Sequence, residues 1–316
     1  MSTTPFHQQQ IATGDGHTLH VAQYGRPDGP AAVVLHGGPG SGSQLSMLDW
    51  FDLNRQRVVL FDQRGAGQSL PHGDIRNNDS HRLVADIELL RRTLNISRWL
   101  VVGGSWGATL ALLYAGQHRA QVSGLILRGS FLGSAREMHW FFHALRALVP
   151  EGWARLTAGW RADQRADVLG TLCAMLLRGD AQQAAIAAQR WSDYEDAIMR
   201  VMSGGARENK KETPPNDAPA LASARTLGKY RLQAHYLSQS CFTSEKKLFR
   251  LARRLDTVPT ILIHGSHDLV CPPENALRLQ RFMPHAQLRW VMKGTHTTAD
   301  ASIAQALTEA VRELAR

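Results

Sequence analysis

The pentapeptide Gly103-Gly104-Ser105-Trp106-Gly107 has the form G-x-S-x-G. It follows an apolar run, Trp99-Leu100-Val101-Val102, and precedes a helix-like stretch, Ala108-Thr109-Leu110-Ala111-Leu112-Leu113-Tyr114. A strand that turns sharply into a helix holds the serine hydroxyl at the tip of the turn, and small neighbours relieve the crowding there. The helix N-terminus favours negative charge developing beside it. A hydroxyl is a weak nucleophile, so it needs a base, and the base needs a group to orient it. Two later runs supply these in the order acid, then base. Asp268 comes just after residues 260–264 (TILIH), and His296 just after residues 287–292 (QLRWVM). Parallel sheets gather their sites at such strand ends. His264 and His267 precede the acid and are set aside. A tetrahedral intermediate also needs N–H donors for its oxyanion. The amide of Trp106 is one candidate; the other lies in residues 36–40 (HGGPG), where glycines let the backbone approach a substrate closely. No metal or cofactor is expected. Residues 65–67 (GAG) lack the third glycine of a dinucleotide fingerprint, and no G-K-[ST] occurs.

These groups need a frame of alternating strands and helices. Continuous apolar runs at residues 31–36, 57–62, 99–103 and 124–129 suit strands covered on both faces. Between them, Ser80 is expected to cap a helix that turns Leu83, Ile87, Leu90 and Leu94 to one face. Such alternation predicts an α/β fold with a mostly parallel sheet. From residue 135 to 202 no strand pattern occurs; the segment is rich in Ala, Leu and Trp, with Trp140, Trp153, Trp160 and Trp191. Residues 203–220 are a polar, Gly/Pro-punctuated loop, and helical patterns resume to about Leu255. The strand theme then returns, and a last helix carries Ile303, Leu307 and Val311 inward. The expected division is a core formed by residues 1–134 and 251–316, interrupted by a helical cap at residues 135–250.

Composition narrows the function classes. The 316 residues carry 36 basic and 27 acidic side chains, a net charge of +9. No basic run exceeds a pair and no nucleic-acid motif accompanies them, so nucleic acid is not an expected partner. No run approaches the roughly 18 apolar residues of a membrane span. Cys173, Cys241 and Cys271 are too few and too scattered for a disulfide framework and suit a reducing compartment. The first ten residues, MSTTPFHQQQ, lack the basic and apolar regions of a secretory signal. The expectation is a cytoplasmic globular enzyme, its oligomeric state left open.

Several segments together carry a resemblance: residues 36–40 (HGGPG), 62–69 (DQRGAGQS), 83–88 (LVADIE), 103–107 (GGSWG), 268–272 (DLVCP) and 294–296. With these the chain resembles the prolyl aminopeptidase (proline iminopeptidase) family of α/β-hydrolases over nearly its whole length, more loosely in the cap. The resemblance implies an α/β-hydrolase fold with a mostly parallel central sheet and an inserted helical cap. It implies a Ser105–His296–Asp268 triad with Gly38 and Trp106 as oxyanion donors. The implied activity releases an N-terminal proline, or a similar residue, from small peptides or amides through an acyl-enzyme.

The resemblance also implies a cap subsite in which two glutamates bind the substrate's free amine. The first belongs to a W-S-x-W-E stretch, here residues 191–195 (WSDYE), which keeps Glu195. The second belongs to A-R-I-E-N-H-Y-F, here residues 230–237 (YRLQAHYL), so Gln233 stands at the glutamate's place. In the ring pocket Phe131 matches, while Phe141 and Leu237 replace the usual tyrosine and phenylalanine. An amide at 233 keeps an acceptor and loses a negative charge. This departure opens a second reading: an amidase, esterase or thioesterase for a small substrate without a free N-terminal ammonium, such as one in a biosynthetic pathway. Cys271, three residues after Asp268, is expected to line the same pocket and to confer sensitivity to bulky thiol reagents.

Overall fold

A computed structural model describes residues 4–205 and 222–315. Its centre is one eight-stranded sheet: β1 (His7–Ala12), β2 (Thr18–Gly25), β3 (Ala31–Leu35), β4 (Arg57–Phe61), β5 (Trp99–Gly104), β6 (Val122–Arg128), β7 (Thr260–Gly265) and β8 (Gln287–Val291). The spatial order is β1-β2-β4-β3-β5-β6-β7-β8. The pairs β1–β2 and β2–β4 are antiparallel and every other pair is parallel. Helices α1 (Ser80–Thr93) and α2 (Trp106–Gln117) follow β4 and β5.

The inserted segment that follows β6 carries α3 (Ala135–His139), α4 (Pro150–Leu156), α5 (Ala162–Ala166), α6 (Val168–Arg178), α7 (Ala181–Met202) and α8 (Ala224–Ser238). The expected polar loop at residues 203–220 lies outside the described residues from 206 onward. Helix α9 (Glu245–Ala252) leads back to β7, and α10 (Glu274–Gln280) and α11 (Ala301–Leu314) complete the chain.

The continuous apolar runs arise because both sheet faces are covered. Val33, Val59 and Val101 pack with Ile87, Leu90 and Leu110 of α1 and α2. The alternate residues Val34, Leu60 and Val102 pack with Ile303, Leu307 and Val311 of α11. A separate apolar cluster, with Phe142, Trp191, Tyr194 and Tyr230, holds the inserted helices together. Leu248, Leu251 and Ala252 of α9 belong to the sheet's own core, so the boundary expected at residue 250 falls inside a helix that packs as one piece on that core.

Two details differ from the sequence reading. The cap of α1 is Asp79, whose carboxylate accepts from the His81 and Arg82 amides at 2.9 and 3.0 Å. Ser80 is the first helical residue instead; its buried hydroxyl donates to the Cys241 carbonyl. Strands β1 and β2 had no expected counterpart. In β2 the apolar run is broken by His20 and Gln23, both buried and both satisfied. His20 Nε2 accepts from Gln8 Nε2 at 2.8 Å, and Gln23 Oε1 accepts from Arg57. Among the described residues no helix is long and apolar enough to cross a membrane.

Candidate active site

Ser105 sits between β5 and α2 with φ 57° and ψ −124°, a left-handed backbone held by its surroundings. The turn closes tightly: a Cβ at Gly103 would run into the Gly107 carbonyl, and one at Gly107 into that of Leu35. The Ser105 amide donates to the Arg128 carbonyl at 2.9 Å, which pins the turn to the end of β6.

Asp268 and His296 come from the ends of β7 and β8. His296 Nδ1 lies 2.7 Å from Asp268 Oδ2. Asp268 Oδ1 accepts from the amides of Val270 (3.0 Å) and Cys271 (2.9 Å). Burial pushes this carboxyl's pKa up, but His296, His264 and the Cys271 amide outweigh it and hold Asp268 below the ordinary range. His264 lies beneath the pair, bonded to the Cys271 carbonyl at 3.0 Å. The pair has room because residue 129 is glycine, at φ +57°; a Cβ there would stand 3.2 Å from Asp268 Oδ2 and 3.3 Å from His296 Nδ1. Arg128 Nη1 donates to the His296 carbonyl at 2.6 Å and fixes the histidine's backbone.

Among the described residues, the one side-chain partner of Ser105 Oγ is Cys271 Sγ, at 4.0 Å, rather than His296. A nucleophile–base hydrogen bond often forms only when substrate is bound. Trp106 opens α2, so its amide is among the first four that have no acceptor within the helix. Gln63 links this end of α2 to the loop carrying Gly38. Its Oε1 accepts from Trp106 Nε1 at 2.9 Å, and its Nε2 and amide bond the His36 carbonyl and ring at 2.8 and 3.0 Å. Arg64, next in the chain, pairs in bidentate fashion with buried Asp86 of α1 at 2.6 and 2.7 Å, and with Asp15 at 2.6 Å.

A cavity of about 450 Å³ opens above the serine, and Gly38, Ser105, Phe131, Phe141, Glu195, Gln233, Leu237, Cys271 and His296 all line it. Trp106 and Asp268 stand behind this wall, both buried. The structure thus brings together every residue singled out from the sequence.

Three further residues of the site were not read from the sequence. Arg128 and Glu137 both line the cavity. Glu137 is buried and accepts from the Leu132 and Ser134 amides and from Asn275 Nδ2, yet burial still pushes its carboxyl up. Its signal was the S-x-x-E spacing of a capping box at residues 134–137. The third is Lys229. Its ammonium lies 2.9 Å from Glu195 Oε2, where the Tyr230 hydroxyl also donates at 2.7 Å. Gln233 Nε2 donates to the other oxygen, Oε1, at 2.8 Å. Burial raises the Glu195 carboxyl, but the Lys229 charge and these hydrogen bonds outweigh it and keep Glu195 below the ordinary range. The available signal for Lys229 was its i,i+4 relation to Gln233 on one helix face.

A serine at a strand–helix elbow, followed in chain order by an acid and a histidine at later strand ends, defines an α/β hydrolase. A family model described as the alpha/beta hydrolase fold matches residues 30–298. The chain is 38% identical over 305 residues to a proline iminopeptidase of Xylella fastidiosa (strain Temecula1 / ATCC 700964), covering 96% of this chain and 95% of that relative. It is 34% identical over 313 residues to one of Neisseria gonorrhoeae, covering 98% and 96%. A solved structure, a proline iminopeptidase-related protein of Thermus thermophilus, matches with a TM-score of 0.59 at 23% identity over 98% of each chain. The protein belongs to the prolyl aminopeptidase (proline iminopeptidase) family and is a prolyl aminopeptidase-like hydrolase.

Proposed function

We propose that this hydrolase works through an acyl-enzyme formed on Ser105. The observation that carries this reading is the His296–Asp268 pair at 2.7 Å, with His296 in the wall of the cavity that Ser105 also lines. Ser105 Oγ attacks the substrate carbonyl while His296 Nε2 takes its proton. Asp268 keeps the proton of His296 on Nδ1, so that Nε2 is free to act as the base. The amides of Gly38 and Trp106 receive the developing oxyanion. His296 then gives its proton to the leaving group, and water attacks the ester in the reverse sense to release the acid.

The relatives' printed name makes N-terminal proline of a small peptide or amide the first substrate of this reading. Phe131, Phe141 and Leu237 give the cavity apolar walls suited to a compact ring. Gln233 in place of a second carboxylate favours the other reading, an amidase, esterase or thioesterase for a small acyl group without a free ammonium. Three cysteines, all free and buried, suit the cytoplasm. The test of the nucleophile is Ser105→Ala with fluorophosphonate labelling: label and turnover should both vanish. Retention of full turnover by Ser105→Ala ends the acyl-enzyme reading.

A further inference from the structure

Glu195, which lines the cavity with Glu137 and Asp196, is already paired by the protein itself. Lys229 and Gln233, one turn apart on α8, hold its two oxygens at 2.9 and 2.8 Å. A carboxylate only accepts, so the Gln233 amide nitrogen must face Glu195 and the amide oxygen must face elsewhere. That oxygen is buried and has no hydrogen-bond partner among the described residues, on a side chain 8% exposed that lines the cavity. Trp191, fully buried, backs this part of the cavity wall. Buried polar atoms left unmet are costly and mark places where a ligand completes the bonding. The Lys229 ammonium has three donors, of which Glu195 and Tyr230 take two.

A protonated prolyl amine arriving here meets a carboxylate whose charge is spent and a resident ammonium beside it. A neutral group with an N–H next to a C=O meets an unfilled acceptor on Gln233 and an unfilled donor on Lys229. We propose that Lys229 determines specificity by standing where a substrate ammonium would otherwise bind, and that the subsite takes a neutral amide edge. In this arrangement the substrate N–H donates to Gln233 Oε1, and its carbonyl oxygen accepts from the third N–H of Lys229. A pyroglutamyl group, a lactam with the ring size of proline, is the acyl group of this chemistry. The inference rests on the hydrolase reading of Ser105 and deepens it.

The test compares kcat/KM for pyroglutamyl-p-nitroanilide and prolyl-p-nitroanilide at neutral pH, in the wild type and in Lys229→Met. The wild type should favour the pyroglutamyl substrate by about tenfold or more, and Lys229→Met, which leaves Glu195 without its resident ammonium, should shift the ratio toward prolyl by about tenfold or more. A wild type that prefers prolyl, or a ratio unmoved by the substitution, overturns the proposal. If Lys229→Met does not fold, Lys229→Gln, which keeps a donor and removes the charge, must move the ratio in the same direction. If neither anilide is cleaved, fluorophosphonate labelling of Ser105 reports separately on the hydrolase reading. The subsite is then read by calorimetry on the wild type: tighter binding of L-pyroglutamamide than of L-prolinamide supports the proposal, and equal or weaker binding overturns it.

Discussion

At the scale of single residues, Cys271 joins the chemistry to the chain's redox vulnerability. Its thiol is buried, 4.0 Å from Ser105 Oγ. Burial, with the charges of Asp268 and Glu137, pushes it well above the ordinary thiol value of 9.0. The thiolate is the reactive form, so alkylation should be slow at neutral pH. The rate should rise about tenfold per pH unit and still be rising above pH 9.0, where an ordinary thiol levels off. Mass spectrometry of iodoacetamide-treated protein measures this, and activity should fall in step with modification at Cys271. Full activity after complete modification would show that the thiol does not share space with the substrate. Asp268→Asn should leave the fold intact and lower kcat by about 10³–10⁴-fold, because the wrong nitrogen of His296 then carries the proton.

Ser105, Asp268 and His296 were legible because their meaning depends on chain order and strand ends, which apolar runs reveal. Lys229 was not. Its role depends on how α8 is rotated against α7, and Trp191, Tyr194 and Tyr230 in the cap's apolar cluster set that rotation.

At the scale of elements, β3 to β7 were readable because both their faces are buried, whereas β8, an edge strand with Gln287 and Trp290 exposed, was readable only from its apolar residues and the turn after it. The pair β1–β2 was not, because the polar residues in β2 find partners only after folding. For α1, Asp79 and Ser80 are adjacent and equally able to cap; the tertiary bond from Ser80 to Cys241 decides between them. The Arg64–Asp86 pair ties α1 to the loop after β4, which in turn carries Gln63 against the elbow. Arg64→Met would leave Asp86 buried without its partner, at a cost of about 3–5 kcal/mol by urea denaturation. Burial already raises the Asp86 carboxyl, and loss of the Arg64 charge, which lowers it, would raise it further in the variant. The deficit should therefore shrink as pH falls through that raised value. The double variant Arg64→Met/Asp86→Leu should be more stable than the single one. If it is equally unstable, the ion pair is not what holds the loop.

At the scale of the whole molecule, the excess of positive charge is spread over many exposed arginines, and several of these are tied to acids, as Arg26 is to Asp28 and Arg161 to Asp163. The sharper global feature is the return of the chain from the cap. Ser240, Cys241 and Phe242 all have positive φ, at 48°, 56° and 53°. An L-residue in this region costs about 1–2 kcal/mol. Ser240 is exposed, so Ser240→Gly should raise stability by about 1 kcal/mol, read as a higher urea midpoint. A lower midpoint would show that the turn is held without strain.

The insertion between β6 and β7 also divides the chemistry along the chain. On the proposed mechanism the nucleophile, Ser105, precedes the cap in sequence, and the acid–base pair, Asp268 and His296, follows it. If the proposed mechanism holds, Ser105 should therefore be inert until β7 and β8, which carry Asp268 and His296 at their ends, dock beside β6. The same division makes the protein a natural two-piece reporter. Polypeptides divided within the cap should each be silent, and hydrolysis should appear only on mixing, in proportion to the fraction that has reassembled.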